Sequence, residues 1–88
     1  MKRIKGLKLI KNKLTNEGLG KMLELIPHVT NLNLSFNQLS DDALLQLLAN
    51  RPKVATLRII NLSNNRINER KAKAAIDELK KQGLIVTI

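Results

Sequence analysis

Few side chains in this chain of 88 residues are of a type that does chemistry, and their spacing argues against most of it. His28 is the single histidine, set between Pro27 and Val29, with no cysteine anywhere and no carboxylate spaced to orient the ring. It reads as an exposed turn residue and not as a general base. Asp41 and Asp42 are adjacent, which at a helix start directs them to different sides, where they favour the dipole and make no metal pair. Gly18-Leu19-Gly20-Lys21 lacks the spacing of a phosphate loop and falls inside a helical pattern. We therefore assign no catalytic residue, metal ligand or cofactor.

The chemistry that recurs is that of the carboxamide. Asn12, Asn37 and Asn65 each close the same phrase of spaced apolar residues. The phrases are Ile4, Leu7, Leu9, Asn12, Leu14; Val29, Leu32, Leu34, Asn37, Leu39; and Leu57, Ile60, Leu62, Asn65, Ile67. After a strand the chain must turn out of the sheet, leaving backbone amides and carbonyls with no strand partner. A buried carboxamide both donates and accepts there. Stacked units would then make a ladder from Asn12, Asn37 and Asn65.

These phrases imply elements that position them. Between phrases lie helical patterns: Leu19, Met22, Leu23 and Ile26; Leu44, Leu47 and Leu48; Ala72, Ala75, Ile76 and Leu79. Thr15, Ser40 and Asn68 read as N-caps, and Pro27, Pro52 and Gly83 as stops. The asparagines are 25 and then 28 residues apart, so three extra residues fall in the Lys53 to Thr56 connection. A constant 25 would put Leu62 at a ladder position, and leucine offers the corner no hydrogen bond. Leu84, Val86 and Ile88 alternate as a fourth strand.

In these residues the chain resembles the leucine-rich-repeat superfamily, and within it the ribonuclease-inhibitor-like class. Leu14-Thr15-Asn16-Glu17-Gly18-Leu19 and Leu39-Ser40-Asp41-Asp42-Ala43-Leu44 are similar to that class's passage from strand to helix. The resemblance implies an α/β fold, a short right-handed horseshoe segment of a solenoid, with a parallel sheet on the concave side and helices on the convex side. Residues 1–88 form one domain in this reading, with repeats at about 4–28, 29–56 and 57–83 and a closing strand at 84–88. It also implies a non-catalytic module or scaffold that binds another protein through the concave face. By register that face carries Gly6, Lys8, Ile10 and Lys11, then Asn31, Asn33, Ser35 and Phe36, then Ile59, Asn61, Ser63 and Asn64. Phe36 is the one aromatic residue and a candidate anchor, with Ile10 and Ile59 as a small apolar patch around it.

Composition narrows the partner. Sixteen lysines and arginines against seven aspartates and glutamates give a net charge of +9, concentrated towards the two ends. Such a field favours an acidic or polar protein, or a polyanion. Lys2, Arg3, Lys5 and Lys13 crowd the first strand and are candidates for contacting polyanions, whereas Glu69 with Lys73 and Asp77 with Lys81 are spaced as ion pairs on the last helix. Leu57 to Arg66 also bears a limited likeness to repeats in messenger-RNA export receptors, making phosphate-directed RNA association the alternative. One phenylalanine with no tyrosine or tryptophan argues against base stacking. Absence of cysteine and of any long apolar run fits an intracellular protein, cytoplasmic or nuclear, away from membranes. The apolar Gly-Leu-Ile-Val-Thr-Ile ending is expected to meet a larger assembly, or the remainder of a longer array.

Overall fold

The computed structural model describes residues 6–10, 13–26 and 28–88. The expectations placed on Lys2, Arg3, Ile4, Lys5, Lys11, Asn12 and Pro27 lie outside the described residues. Strand and helix alternate: β1 (Gly6–Lys8), α1 (Asn16–Leu25), β2 (Asn31–Asn33), α2 (Asp42–Ala49), β3 (Ile59–Asn61), α3 (Glu69–Lys81) and β4 (Ile85–Thr87). The strands form one parallel sheet in the order β1-β2-β3-β4.

Register follows the asparagine spacing. Leu7 pairs with Leu32, Leu32 with Ile60 and Ile60 with Val86, so one inward position runs across all four strands. The connection between α2 and β3 holds a 3-10 turn, Arg51–Val54, whose fully buried Val54 accepts from Leu57 N as Ile26 accepts from Val29 N 28 residues earlier. The extra residues therefore fall just before Val54 and not in the Lys53 to Thr56 stretch the sequence had suggested. Pro52 lies within this turn, two residues past the Asn50 cap of α2. That helix stops at Ala49, where Asn50 donates from both its backbone and its Nδ2 (2.7 Å) to the Gln46 carbonyl.

Thr15 and Asn68 cap α1 and α3 as expected, accepting from the amides of Gly18 and Lys71. Ser40 does not cap α2. Its hydroxyl accepts from Asn16 Nδ2 (2.8 Å) and its amide donates to Asn16 Oδ1 (3.1 Å), so the neighbouring repeat has claimed the group a cap would use. Asp41 occupies the cap position without a side-chain bond.

The core is a ribbon between sheet and helices, built from Leu32, Leu34, Ile60, Leu62 and Leu84 on one side and Leu19, Leu23, Leu44, Leu47, Ile76 and Leu79 on the other. Leu7, Leu9 and Leu14 are only partly buried against it, as are Val86 and Ile88 at the other end. Interior units are covered from both sides, whereas end units are covered from one.

Helix α3 ends in two reverse bonds, Leu84 N to Leu79 O (3.1 Å) and Gly83 N to Lys80 O (3.0 Å), with Gly83 at φ 90°. This is the Schellman arrangement, in which a left-handed residue satisfies the last carbonyls. A Cβ added at Gly83 would meet nothing within 4 Å, so the cost of Gly83→Ala is backbone strain alone. It is expected to destabilise by about 1–2 kcal/mol. Gly6→Ala, equally open and free of positive φ, is the control and should leave the denaturant midpoint of the parent unchanged.

Candidate partner-binding face

Alternation along each strand sets the outward side chains. Since Leu32 and Ile60 point into the core, Asn31, Asn33, Ile59 and Asn61 point away from the helices. Pairing aligns them in two rows, Gly6-Asn31-Ile59-Ile85 and Lys8-Asn33-Asn61-Thr87. Ile85, which is 60% exposed, and Thr87 extend the face onto β4. Neither was assigned to it from sequence, although the inward alternation of Leu84, Val86 and Ile88 carried the signal.

Sequence alternation fails where the strands stop. Ser35 was expected to face a partner, but it is 5% exposed, its hydroxyl donating to Asn33 Oδ1 (2.8 Å). Strand β2 ends at Asn33, so the backbone is already turning at Leu34 and both Leu34 and Ser35 go inside. The Ser35 amide donates to the same Asn33 oxygen (3.1 Å). The next unit repeats this geometry: Ser63, half-buried, donates from its hydroxyl (2.7 Å) and its amide (2.9 Å) to Asn61 Oδ1.

Ile10, Phe36 and Ile59 do not make one patch. Ile59 lies beside Ile85 at the start of the strands, whereas Ile10 and Phe36 lie past the ends of β1 and β2, with the amide row between. Phe36 is 49% exposed and adopts φ 57°. Asn64, the same position one unit on, adopts φ 56°. Asparagine tolerates the left-handed region, but an aromatic residue there pays a strain cost.

Beneath the face the asparagine ladder holds the corners. Asn37 accepts from Leu14 N (2.9 Å) and donates from Nδ2 to the carbonyls of Leu9 (2.7 Å), Leu34 (2.9 Å) and Ser35 (3.2 Å). Asn65 accepts from Leu39 N (3.0 Å) and donates to Leu34 O (2.9 Å), Leu62 O (3.0 Å) and Ser63 O (3.2 Å). Each rung joins its own turn to the preceding unit.

Acidic side chains are confined to the helix side, whereas cations occur on both. All seven acidic residues lie in helices or at the α2 cap: Glu17 and Glu24, Asp41 and Asp42, Glu69, Asp77 and Glu78. The described charges in the strands and their adjoining turns are Lys8, Lys13, Arg58 and Arg66, all cationic. Glu24 is paired with Lys53 (2.9 Å), whose hydrogen bond and charge hold its carboxyl below the usual range. On α3, Lys73 pairs with Asp77 (2.9 Å) and not with Glu69 as the spacing had allowed. Lys73 stands four residues from both carboxylates, and its one ammonium has turned towards the C-terminal one. That hydrogen bond lowers the Asp77 pKa and raises that of Lys73. His28 is exposed, and among the described residues no group of three or more His, Cys, Asp or Glu is placed to hold a metal.

An open groove of about 650 Å³ runs beside α3 and β4, lined by the apolar Ile76, Val86 and Ile88 and by charges of both signs, Arg70, Lys73 and Lys80 with Glu69 and Asp77. Among the described residues β4 pairs with β3 on one side only, leaving the backbone of Val86 directed to the free edge. No helix among the described residues is long and apolar enough to cross a membrane.

Residues 26–48 match a family model described as Leucine Rich repeat. No curated protein and no solved structure matches the chain. Proteins of that family commonly bind other proteins and are typically not catalytic. The matched segment spans β2 and most of α2, and parallel strands with helices stand on both sides of it, so residues 26–48 are a leucine-rich repeat and the chain has the fold of a short leucine-rich-repeat solenoid segment.

Proposed function

We propose that the 88 residues act as one non-catalytic domain that binds a partner protein through the outward face of the sheet. The observation that carries this reading is the face itself: four parallel strands presenting amides, a lysine and the exposed Ile59 and Ile85, with a half-exposed phenylalanine held in a left-handed conformation at its rim. Strain of that kind is retained where surrounding structure imposes it, and it clusters at binding sites. The rows mix apolar and hydrogen-bonding groups, as protein-recognition surfaces do. Each of β1, β2 and β3 is followed by an α-helix, which supports placement in the ribonuclease-inhibitor-like class, and we place its site of action inside the cell, in cytoplasm or nucleus.

Affinity capture from native lysate, with nuclease, tests the reading. The parent chain should retain a protein that Ile59→Glu and Phe36→Asn both lose, while Leu45→Glu, on the exposed side of α2, keeps it. Phe36→Asn suits the backbone conformation that Asn64 already adopts, so it should fold as the parent does. Retention by the face variants together with loss by Leu45→Glu would place binding on the helices instead.

A second reading, RNA held through its phosphates, is favoured by the cations Lys8, Lys13, Arg58 and Arg66, joined in sequence by Lys2, Arg3 and Lys5. Binding of that kind falls steeply with salt and ignores base sequence. The free β4 edge and its groove support a third contact, with a larger assembly.

A further inference from the structure

We infer that the outward face recognises an acidic, extended peptide, and that it does so by hydrogen-bond polarity set from within. This rests on the binding face proposed above. An asparagine side chain ordinarily offers a partner both an acceptor and two donors. At Asn33 and Asn61 the choice has been removed. Asn33 Oδ1 accepts from the amide and hydroxyl of Ser35, and Asn61 Oδ1 accepts from the amide and hydroxyl of Ser63. Flipping either carboxamide would set its NH2 against the serine backbone N–H, which cannot accept, and would break the bond the hydroxyl now donates, so each Nδ2 is held as the outward group. Among the described residues neither Nδ2 makes a hydrogen bond, in contrast to the Nδ2 groups of Asn37 and Asn65, which each donate to backbone carbonyls.

The two held donors stand in one row, next to each other across β2 and β3. Lys8 continues that row on β1 with an ammonium, a donor with no acceptor capacity, and Thr87 continues it on β4 with a hydroxyl. No acidic side chain lies on this side to compete, since every aspartate and glutamate belongs to a helix or its cap. A row of donors with a cation at one end matches a row of acceptors carrying negative charge. Ile59 and Ile85 alongside it give an apolar strip, which a peptide with alternating acidic and apolar side chains would cover and a phosphate backbone would not.

The substitution that isolates this idea is Asn33→Asp. An aspartate oxygen accepts from Ser35 as the asparagine oxygen does, so the corner keeps its bonds while the outward group changes from donor to acceptor. Asn61→Asp does the same over Ser63. Gln38→Glu, exposed on the turn beyond Asn37, makes the same change of charge outside the row.

The probe is a short peptide alternating glutamate with leucine, titrated into the 88-residue chain and followed by the side-chain amide resonances. Those of Asn33 and Asn61 should move and those of Asn37 and Asn65 stay, and the glutamine version of the peptide should move none. Asn33→Asp and Asn61→Asp should each melt with the parent yet weaken the peptide at least tenfold, several times more than Gln38→Glu. Equal weakening by all three would reduce the effect to net charge and overturn the inference. So would movement of the Asn33 and Asn61 resonances with a short uridine oligonucleotide while the peptide stays silent. If Ile59→Glu and Phe36→Asn abolish capture of a partner but Asn33→Asp does not, the face still binds and the donor inference alone fails. Capture indifferent to Ile59→Glu, Phe36→Asn, Asn33→Asp and Asn61→Asp alike would remove both.

Discussion

Asn37→Ala should destabilise the chain by about 2–3 kcal/mol and lower its melting temperature by roughly 10–20 °C. The side chain is 8% exposed and spends every hydrogen-bonding atom on backbone. Its removal leaves the Leu14 amide and the Leu9 carbonyl at the junction of the first and second units without the bonds of 2.9 and 2.7 Å they now have. The Leu34 carbonyl loses less, because Asn65 Nδ2 also reaches it. Asn37→Asp should be at least as damaging. It preserves the acceptor for Leu14 but turns a second oxygen onto three carbonyls, each of which needs a donor. The same exchange four residues earlier, at Asn33, is expected to leave stability intact. A melt in which Asn37→Asp and Asn33→Asp behave alike would show that the two carboxamides are not oriented as described.

Leu44→Ala should cost about 2–5 kcal/mol, the ordinary range for truncating a fully buried leucine whose surroundings cannot collapse into the space. The position is 0% exposed on α2, the helix that packs against both α1 and α3. For 88 residues the whole stability is on the order of 4–13 kcal/mol, so one such cavity removes a large part of it. In a stack, stability is a sum of units and the interfaces between them, and a defect in the middle unit weakens both interfaces. The neighbouring Leu45 is 57% exposed, and Leu45→Ala should stay within about 0.5 kcal/mol of the parent. Urea unfolding of the pair measures the contrast directly. Similar midpoints for the two variants would mean that α2 is rotated from the orientation reported.

Both predictions rest on residues that the sequence foretold. Leu44 and Asn37 were both legible because they belong to a period: the helical spacing located one, and the recurrence of Asn37 and Asn65 in the same phrase located the other. The 28-residue offset was legible for the same reason, since only one register kept leucine out of the corner. What escaped were features decided by a neighbouring unit or by a change of backbone direction. Ser40 has the residue type of a cap, but Asn16 reached it across the stack. Ser35 has the position of an outward strand residue, but β2 had ended two residues before it. Lys73 had two carboxylates at equal spacing, and sequence carries no information on which one its rotamer would choose. The polarity of Asn33 and Asn61 was invisible in the same way. Either end of a carboxamide can face outward, and only the bonds from the serine two places on make these two donors.

The ladder has a direction. Asn37 ties down Leu9 and Leu14, and Asn65 ties down Leu34 and Leu39, so each rung is carried by one unit and spent on the unit made before it. The bonds at Leu9 and Leu14 therefore exist only in a chain that reaches residue 37, and those Asn65 makes at Leu34 and Leu39 only in one that reaches residue 65. Shortening the chain from its C-terminal side takes away, with each rung, the fastening of the unit before it.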